Sequence, residues 1–149
     1  MVGNPIKYFY PVLDTVKDMA RTIKIDYLDQ LFSDYIRERA GWRCERCGSI
    51  LRDIIRIALH QSNKLYCHHF HRRHKKSVRW HPDNGICVCF GCHAWFHQNP
   101  IEEVEFFRKR LGDDKFDALT REANRTWPKP DKAAITLYLK QELKKIKDH

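Results

Sequence analysis

Most of the histidines and cysteines of this chain lie in one stretch, residues 67–97, which is CHHFHRRHKKSVRWHPDNGICVCFGCHAWFH. These 31 residues contain seven of the nine histidines and four of the six cysteines of a 149-residue protein. Imidazole and thiolate groups are common ligands of zinc and related cations. Packing alone does not explain such a density of ligand atoms, so the stretch predicts metal binding.

Four cysteines form two CxxC pairs, Cys44-x2-Cys47 and Cys89-x2-Cys92. Each pair places two thiolates on a tight turn, and two such pairs complete one tetrahedral zinc site. A closed site of four cysteines has no open coordination position, so we expect its role to be structural. Cys87 is an alternative ligand to Cys89, because Cys87-Val-Cys89 is ambiguous. Otherwise Cys67 and Cys87 are expected to be buried thiols.

The histidines predict a second metal site. His93 and His97 are four residues apart, so on a helix both imidazoles point the same way and can share one cation. His68 and His69 are adjacent on a predicted strand, where neighbouring side chains point to opposite faces. One of the two can bind the metal while the other stays free as a base. Asn84, in the turn before the next strand, is placed to hold that base's ring in the useful tautomer.

Positive charge concentrates beside these histidines. The chain carries a formal charge of +9 and a pI near 9.4, which favours a polyanionic partner. No acid occurs between Asp53 and Asp83, where seven lysines and arginines lie. The basic residues nearest the histidines are the predicted DNA contacts: Arg72, Arg73, Lys75, Lys76 and Arg79. A solvated basic loop is the alternative.

Hydrophobic periodicity predicts an α+β chain. Helices are expected over 26–40, from about His93 to the break near Pro100, over 101–111, around 116–123 and over 133–147; strands are expected over 65–70 and 86–88. A short helix near 16–23 is also predicted, whereas 50–66 does not distinguish helix from strand. These elements divide the chain into an N-terminal arm over 1–25, a domain over 26–125, and a linker with a C-terminal helix over 126–149.

Neither a signal peptide nor a transmembrane segment is expected, because the first twenty residues lack a long apolar run and no apolar stretch nears the length of a bilayer span. We expect a cytoplasmic location. In that compartment, paired CxxC motifs bind metal more often than they form a disulfide framework. The C-terminal helix has an apolar face, which is expected to pack on the body of the chain or on a second copy. A homodimer is therefore one alternative, and a helix that faces DNA is another.

The histidine pattern resembles a known family. His69, Asn84 and His93 resemble the HNH motif of the ββα-metal nucleases, and the preceding His68 with the His93-x3-His97 pair resembles the colicin-type DNase version. The flanking CxxC pairs are similar to those of zinc-stapled HNH families common in phages.

A wider match, over roughly residues 29–120, resembles the phage recombination endonucleases of the NinG/Rap type. It rests on these residues: Asp29-Gln-Leu-Phe-Ser33, Tyr35-Ile36-Arg37, Cys44-x2-Cys47-Gly48, His69-Phe70, Arg73, Arg79-Trp80, Asn84 and Cys89-x2-Cys92. Many proteins of that type carry Asn after the second CxxC, where this chain has His93, and His97 is an addition.

The resemblance implies a small ββα-metal core stapled by zinc within 26–125, in a phage protein acting on DNA in a bacterial host. It implies that His69 is the general base, oriented by Asn84. It also implies that His68, His93 and His97 hold one divalent cation, for which Mg²⁺, Mn²⁺, Ni²⁺ and Zn²⁺ are candidates. Arg72, Arg73 or Arg79 would then neutralise charge on the phosphate.

Three alternatives remain beside a recombination nuclease. One is a general or nicking HNH nuclease that a partner, such as a phage packaging machine, directs to its target. The second is a zinc-ribbon DNA-binding module without catalysis, which would not need the pair His69 and Asn84. The third is a zinc-dependent protein adaptor, which would need neither Asn84 nor the basic loop. The sequence assigns no role to His71, His74 or His81.

Overall fold

The computed structural model describes residues 25–50 and 65–149 of the chain. These residues form an α+β structure with five α-helices and one two-stranded sheet. In chain order the elements are α1 (Tyr27–Arg39), β1 (Tyr66–His69), a 3₁₀ turn (Pro82–Asn84), β2 (Gly85–Val88), α2 (Phe90–Gln98), α3 (Pro100–Leu111), α4 (Asp113–Ala123) and α5 (Lys132–Lys147). The predicted helix near 16–23, residues 51–64 of the ambiguous segment and almost all of the N-terminal arm lie outside the described residues.

The first helix begins where its sequence predicts. Asp26 and Asp29 form a reciprocal capping box, in which each carboxylate accepts a hydrogen bond from the other's backbone N–H at 3.0 Å. The predicted apolar stripe buries Leu28, Phe32 and Ile36. These residues join Leu139 and Leu143 of α5 in one hydrophobic cluster, so the C-terminal helix packs on the body of its own chain.

The two strands pair antiparallel, with His68 opposite Ile86 and His69 opposite Gly85. Their two faces meet different helices. Cys67 and Cys87 face the cluster of α1, whereas Ile86 and Val88 belong to a second cluster with Phe96 and Phe107 of α2 and α3. The side chains of β1 alternate, so successive residues project into different halves of the protein.

Gly85 allows α1 to approach the sheet closely. A Cβ at this position would lie 2.9 Å from Phe32 Cζ, shorter than real side chains tolerate. Only glycine fits between the strand and the aromatic ring, and this contact fixes the distance of β2 from α1.

Candidate functional site

The four cysteines of the two CxxC pairs come together as predicted. One sulfur atom from each of Cys44, Cys47, Cys89 and Cys92 lies within 4.8 Å of the others. The first pair follows α1 on a turn closed by the hydrogen bond from Gly48 N to Cys44 O, with Gly48 at φ +72°, a conformation that favours glycine. The second pair occupies the N-cap and first turn of α2. This helix therefore begins at Phe90, earlier than the predicted start near His93.

The geometry and the donor set of this cluster fit zinc. A Zn–S bond of about 2.3 Å in a tetrahedron places the sulfur atoms about 3.8 Å apart. The Cys47 and Cys89 sulfur atoms are 3.8 Å apart. Burial raises the pKa of Cys44, and it raises that of Cys92 to about 12. These thiols need a cation to become thiolates at neutral pH, so zinc binding there releases protons.

Arg46 covers one side of the cysteine cluster. Its guanidinium donates to Cys92 Sγ at 3.4 Å and lies 3.6 Å from the centroid of the Trp95 ring. A positive charge beside a sulfur stabilises the thiolate form, and the indole stacks on the guanidinium plane. Arg46 is thus a second link between the CxxC turn and α2.

Three histidines form a second cluster between β1 and α2. His68 of β1 and His93 and His97 of α2 each offer a nitrogen, and these nitrogens lie within 4.8 Å of one another. Burial lowers the pKa of His93 to about 4, with the neighbouring His68 and His97 adding to the effect. Burial also lowers the pKa of His97. Neutral imidazoles are the ligand form, so the cluster fits a divalent cation at neutral pH.

Glu103 of α3 completes the surroundings of His68. Its Oε1 lies 2.6 Å from His68 Nε2, and its side chain is 16% exposed. An ionised carboxylate only accepts hydrogen bonds, so this contact places the proton on Nε2 and leaves the Nδ1 lone pair for a cation. Carboxylate–histidine–metal triads of this kind orient the ring and raise its basicity. Sequence reasoning missed Glu103, since a glutamate in the first turn of a helix is an ordinary interaction with the helix dipole.

His69 lies on the opposite face of β1. Its Nε2 is 3.0 Å from the backbone oxygen of Arg79, and its ring lies 5.4 Å from that of Phe32. A carbonyl oxygen cannot donate, so Nε2 carries the proton and Nδ1 keeps a free lone pair. Burial, reinforced by the charge of Arg73, lowers the pKa of His69 to about 4. The ring is therefore neutral at physiological pH and can accept a proton at Nδ1.

Asn84 makes different contacts from the one predicted for it. Its side chain is fully buried; Oδ1 accepts from His71 N at 2.7 Å, and Nδ2 donates to the carbonyl oxygens of His71 at 2.9 Å and Val78 at 3.0 Å. The ring of His69 is held by Arg79 O instead of by the amide of Asn84. Asn84 affects His69 only indirectly, because its hydrogen bonds close the 71–79 loop, which carries the oxygen of Arg79.

The predicted DNA contacts divide into two groups. Arg72 and Lys76 are exposed, Arg73 and Lys75 are partly exposed, and the charges of Arg72 and Arg73 act on the histidines of the cluster and on His69. Arg79 differs, since its guanidinium is paired with the buried carboxylate of Asp29. Its geometry favours a structural role over the phosphate contact predicted for it.

Asp29 organises this corner of the fold. Its carboxylate accepts from Arg79 Nε and from Trp80 Nε1, each at 2.8 Å, and its side chain is 6% exposed. Arg79 in turn supplies the oxygen that holds His69. A buried ion pair thus connects α1 to the ring of His69. The wider match of the sequence includes Asp29, Arg79 and Trp80, but nothing in the sequence indicates that they contact one another.

Two further histidines and the two remaining cysteines have contacts outside the clusters. His81 Nδ1 accepts from Asp83 N at 3.2 Å and caps the 3₁₀ turn, while His71 Nε2 lies 3.4 Å from Thr120 Oγ1. Cys67 and Cys87 are buried opposite each other in the sheet, and burial raises the pKa of each to about 12. They are inert thiols of the core.

No family model, curated protein or solved structure matches this chain. None of the helices in residues 25–50 and 65–149 has both the length and the apolar character that a membrane crossing requires.

Proposed function

We propose that this chain is a metal-dependent DNA endonuclease of the HNH type. The observation that supports it is the arrangement of two adjacent residues of β1. His68 faces the three-histidine cluster, and His69 faces the other side, with its ring anchored through Nε2 and its Nδ1 free. Phosphodiester hydrolysis needs a cation and a general base that reach the same phosphate. In this proposal the phosphate lies at the edge of β1 between the cluster and His69, near Arg73, whose charge acts on both His93 and His69.

The chain's own residues have distinct roles in this proposal. His68, His93 and His97 hold the divalent cation, and Glu103 fixes the ring of His68. A bound divalent cation supplies Lewis-acid stabilisation of the scissile phosphate and of the leaving oxygen. The four cysteines hold a structural zinc that fixes the start of α2, the helix on which His93 and His97 lie.

His69 takes the proton from the attacking water. The O–H bond of the water breaks as its oxygen bonds to phosphorus, the proton goes to His69 Nδ1, and the bond from phosphorus to the 3′ oxygen breaks. The hydrogen bond from Nε2 to Arg79 O persists and stabilises the imidazolium that results. Arg72 and Arg73 lie close enough to the histidines to influence their charge states, and they offset charge on the phosphate.

The test is cleavage of a DNA panel by zinc-loaded protein. Plasmid, linear duplex, single strand, flap and four-way junction are each incubated with Mg²⁺, Mn²⁺, Ni²⁺ or Zn²⁺. The wild type is compared with His69→Ala and with His149→Ala, a control at the exposed C-terminus. Loss of a general base is expected to slow cleavage roughly 10²- to 10⁴-fold.

The outcomes separate the candidate functions. Cleavage concentrated on branched DNA supports the recombination role, and cleavage of every duplex supports a general or nicking nuclease. Full activity of pure His69→Ala would overturn the assignment of the base. DNA binding without cleavage under any ion would replace the nuclease by a zinc-ribbon binding module, which the cysteine cluster and the basic loop alone support.

A further inference from the structure

A cationic cleft lies between the basic loop and the linker that precedes α5. It has a volume of about 310 Å³, and we call it the linker cleft. Its basic lining residues are His74, Lys75, Lys76, Arg125 and Lys129. The described residues that line it include no aspartate or glutamate. Its charge is complementary to a chain of phosphates.

The two walls of the linker cleft are tied together. Ser77 Oγ donates to the carbonyl oxygen of Glu122 at 2.7 Å, and Lys75 Nζ donates to Asn124 Oδ1 at 3.3 Å. Val78, directly behind the basic loop, is completely buried against residues of α4. These contacts fix the cleft without a ligand, so a ligand would lose little free energy in ordering it.

An exposed aromatic residue lies in the linker between two residues that line the cleft, although its own side chain is not among the lining groups. Trp127 is 73% exposed, and the residues on either side of it, Thr126 and Pro128, both line the cleft. An indole of this exposure leaves a ring face available for stacking with a ligand. A cationic groove beside an aromatic platform is the arrangement by which proteins bind single-stranded nucleic acid, with phosphates in the groove and a base stacked on the ring.

The basic loop connects the linker cleft to the histidines. The loop turns back at the hydrogen bond from Lys75 N to Arg72 O at 2.9 Å. Arg72, whose charge acts on His97, and Lys75, which lines the cleft, therefore belong to one turn. The basic residues therefore run without interruption from Arg72 to the lysines that line the cleft.

We propose that the linker cleft and Trp127 bind a single-stranded DNA segment adjoining the scissile phosphate. Lys76 and Lys129 contact its phosphates, and an unpaired base stacks on Trp127. This inference rests on the proposed nuclease function and names its substrate class: DNA in which an unpaired strand adjoins the cut, as in a flap or a branch.

The test measures binding separately from cleavage. Zinc-loaded protein with His69→Ala is titrated into a labelled 20-nucleotide single strand and into the matching duplex. Trp127→Ala is expected to weaken single-strand binding roughly 5- to 150-fold, the loss of one stacked base, and to leave duplex binding unchanged. Trp127→Phe, which retains a stacking face, is expected to restore most of the affinity. Leu137→Ala, which removes another exposed apolar side chain, is the control.

The charges are tested in parallel. The double variant Lys76→Gln and Lys129→Gln is expected to weaken the salt dependence of single-strand binding. The slope of log K against log salt should become less negative by about 1.4, since two phosphate contacts are lost. The control, Lys144→Gln with Lys147→Gln, removes the same charge from exposed positions of α5. Equal effects of the two double variants would overturn the cleft as a phosphate site.

The two proposals fail in different ways. Unchanged single-strand affinity in Trp127→Ala, in a protein whose wild type cleaves DNA, overturns this inference and leaves the nuclease intact. Binding that depends on Trp127 in a wild type that cleaves nothing overturns the nuclease and leaves the single-strand site intact.

Discussion

Replacing Asp29 by asparagine should lower the free energy of unfolding strongly, although the two side chains have nearly the same shape. The carboxylate accepts from Asp26 N, from Trp80 Nε1 and twice from the guanidinium of Arg79. An asparagine keeps one oxygen but turns an NH₂ group toward these donors and leaves Arg79 without its counter-charge. Losing about two hydrogen bonds to charged groups, at about 1.5–3 kcal/mol each, lowers the free energy of unfolding by about 3–6 kcal/mol. A domain of this size has only about 5–15 kcal/mol in total.

The assay is urea unfolding of zinc-loaded protein, followed by circular dichroism, with Asp34→Asn as the matched control. Asp34 is in the same helix and pairs with Arg37 at 3.0 Å, but its side chain is 60% exposed. An exposed pair of this kind contributes about 0–1 kcal/mol. Equal losses in the two variants would refute the argument that burial and the four hydrogen bonds make the Asp29–Arg79 pair important.

Asp29→Asn should also change how the stability of the protein depends on pH in acid. Burial by itself raises the pKa of the Asp29 carboxyl, but hydrogen bonds from Arg79, Asp26 N and Trp80 outweigh it and hold the pKa below the ordinary 3.8. A lowered pKa contributes stability above the unfolded-state value, and this contribution disappears as the pH falls through the folded-state value. The wild type should therefore lose stability below about pH 4 more steeply than Asp29→Asn. Parallel losses in the two proteins would contradict this expectation.

Three further perturbations test other parts of the fold. Cys44→Ser should cost both zinc and folding, because binding of a structural zinc is folding energy; a stable, zinc-free variant in metal analysis would refute this. Glu103→Gln should weaken Ni²⁺ binding to the histidine cluster about 10- to 100-fold in calorimetry, while Glu102→Gln, on an exposed neighbour, should not; equal affinities would remove Glu103 from the site. Gly85→Ala should destabilise by about 1–3 kcal/mol, since its Cβ meets Phe32 at 2.9 Å; an unchanged urea midpoint would show that the ring moves aside freely.

The sequence predicted those features that depend on neighbouring residues. The stripe of α1, its cap at Asp26 and the break at Pro100 follow from periodicity and capping chemistry, which act within one or two turns. The two strands were predicted close to their observed bounds from short apolar runs, whereas their register, with His69 opposite Gly85, was not predicted. The four cysteines met as expected although Cys47 and Cys89 are 42 positions apart, because a tetrahedral zinc site takes four thiolates and each CxxC pair supplies only two.

Features that depend on distant contacts were not predictable in this way. Glu103 meets His68 across 35 positions of sequence, and Arg79 meets Asp29 across 50. Both acids lie in the first turn of a helix, where the sequence alone indicates only a favourable interaction with the helix dipole. Asn84 was predicted at the site, but the groups its amide reaches depend on the path of the 71–79 loop, which periodicity does not describe.

Helix α2 carries ligands of both clusters at consecutive positions, Cys92 for the cysteines and His93 for the histidines. Zinc that fixes the first turn of α2 therefore also fixes the bearing of His93 relative to His68. If both clusters are loaded as proposed, occupancy of one site raises the affinity of the other, and by thermodynamic reciprocity the coupling is the same in both directions. A chain that lost the ion of the cysteine cluster during a shortage of zinc would then also hold a cation at the histidines less tightly.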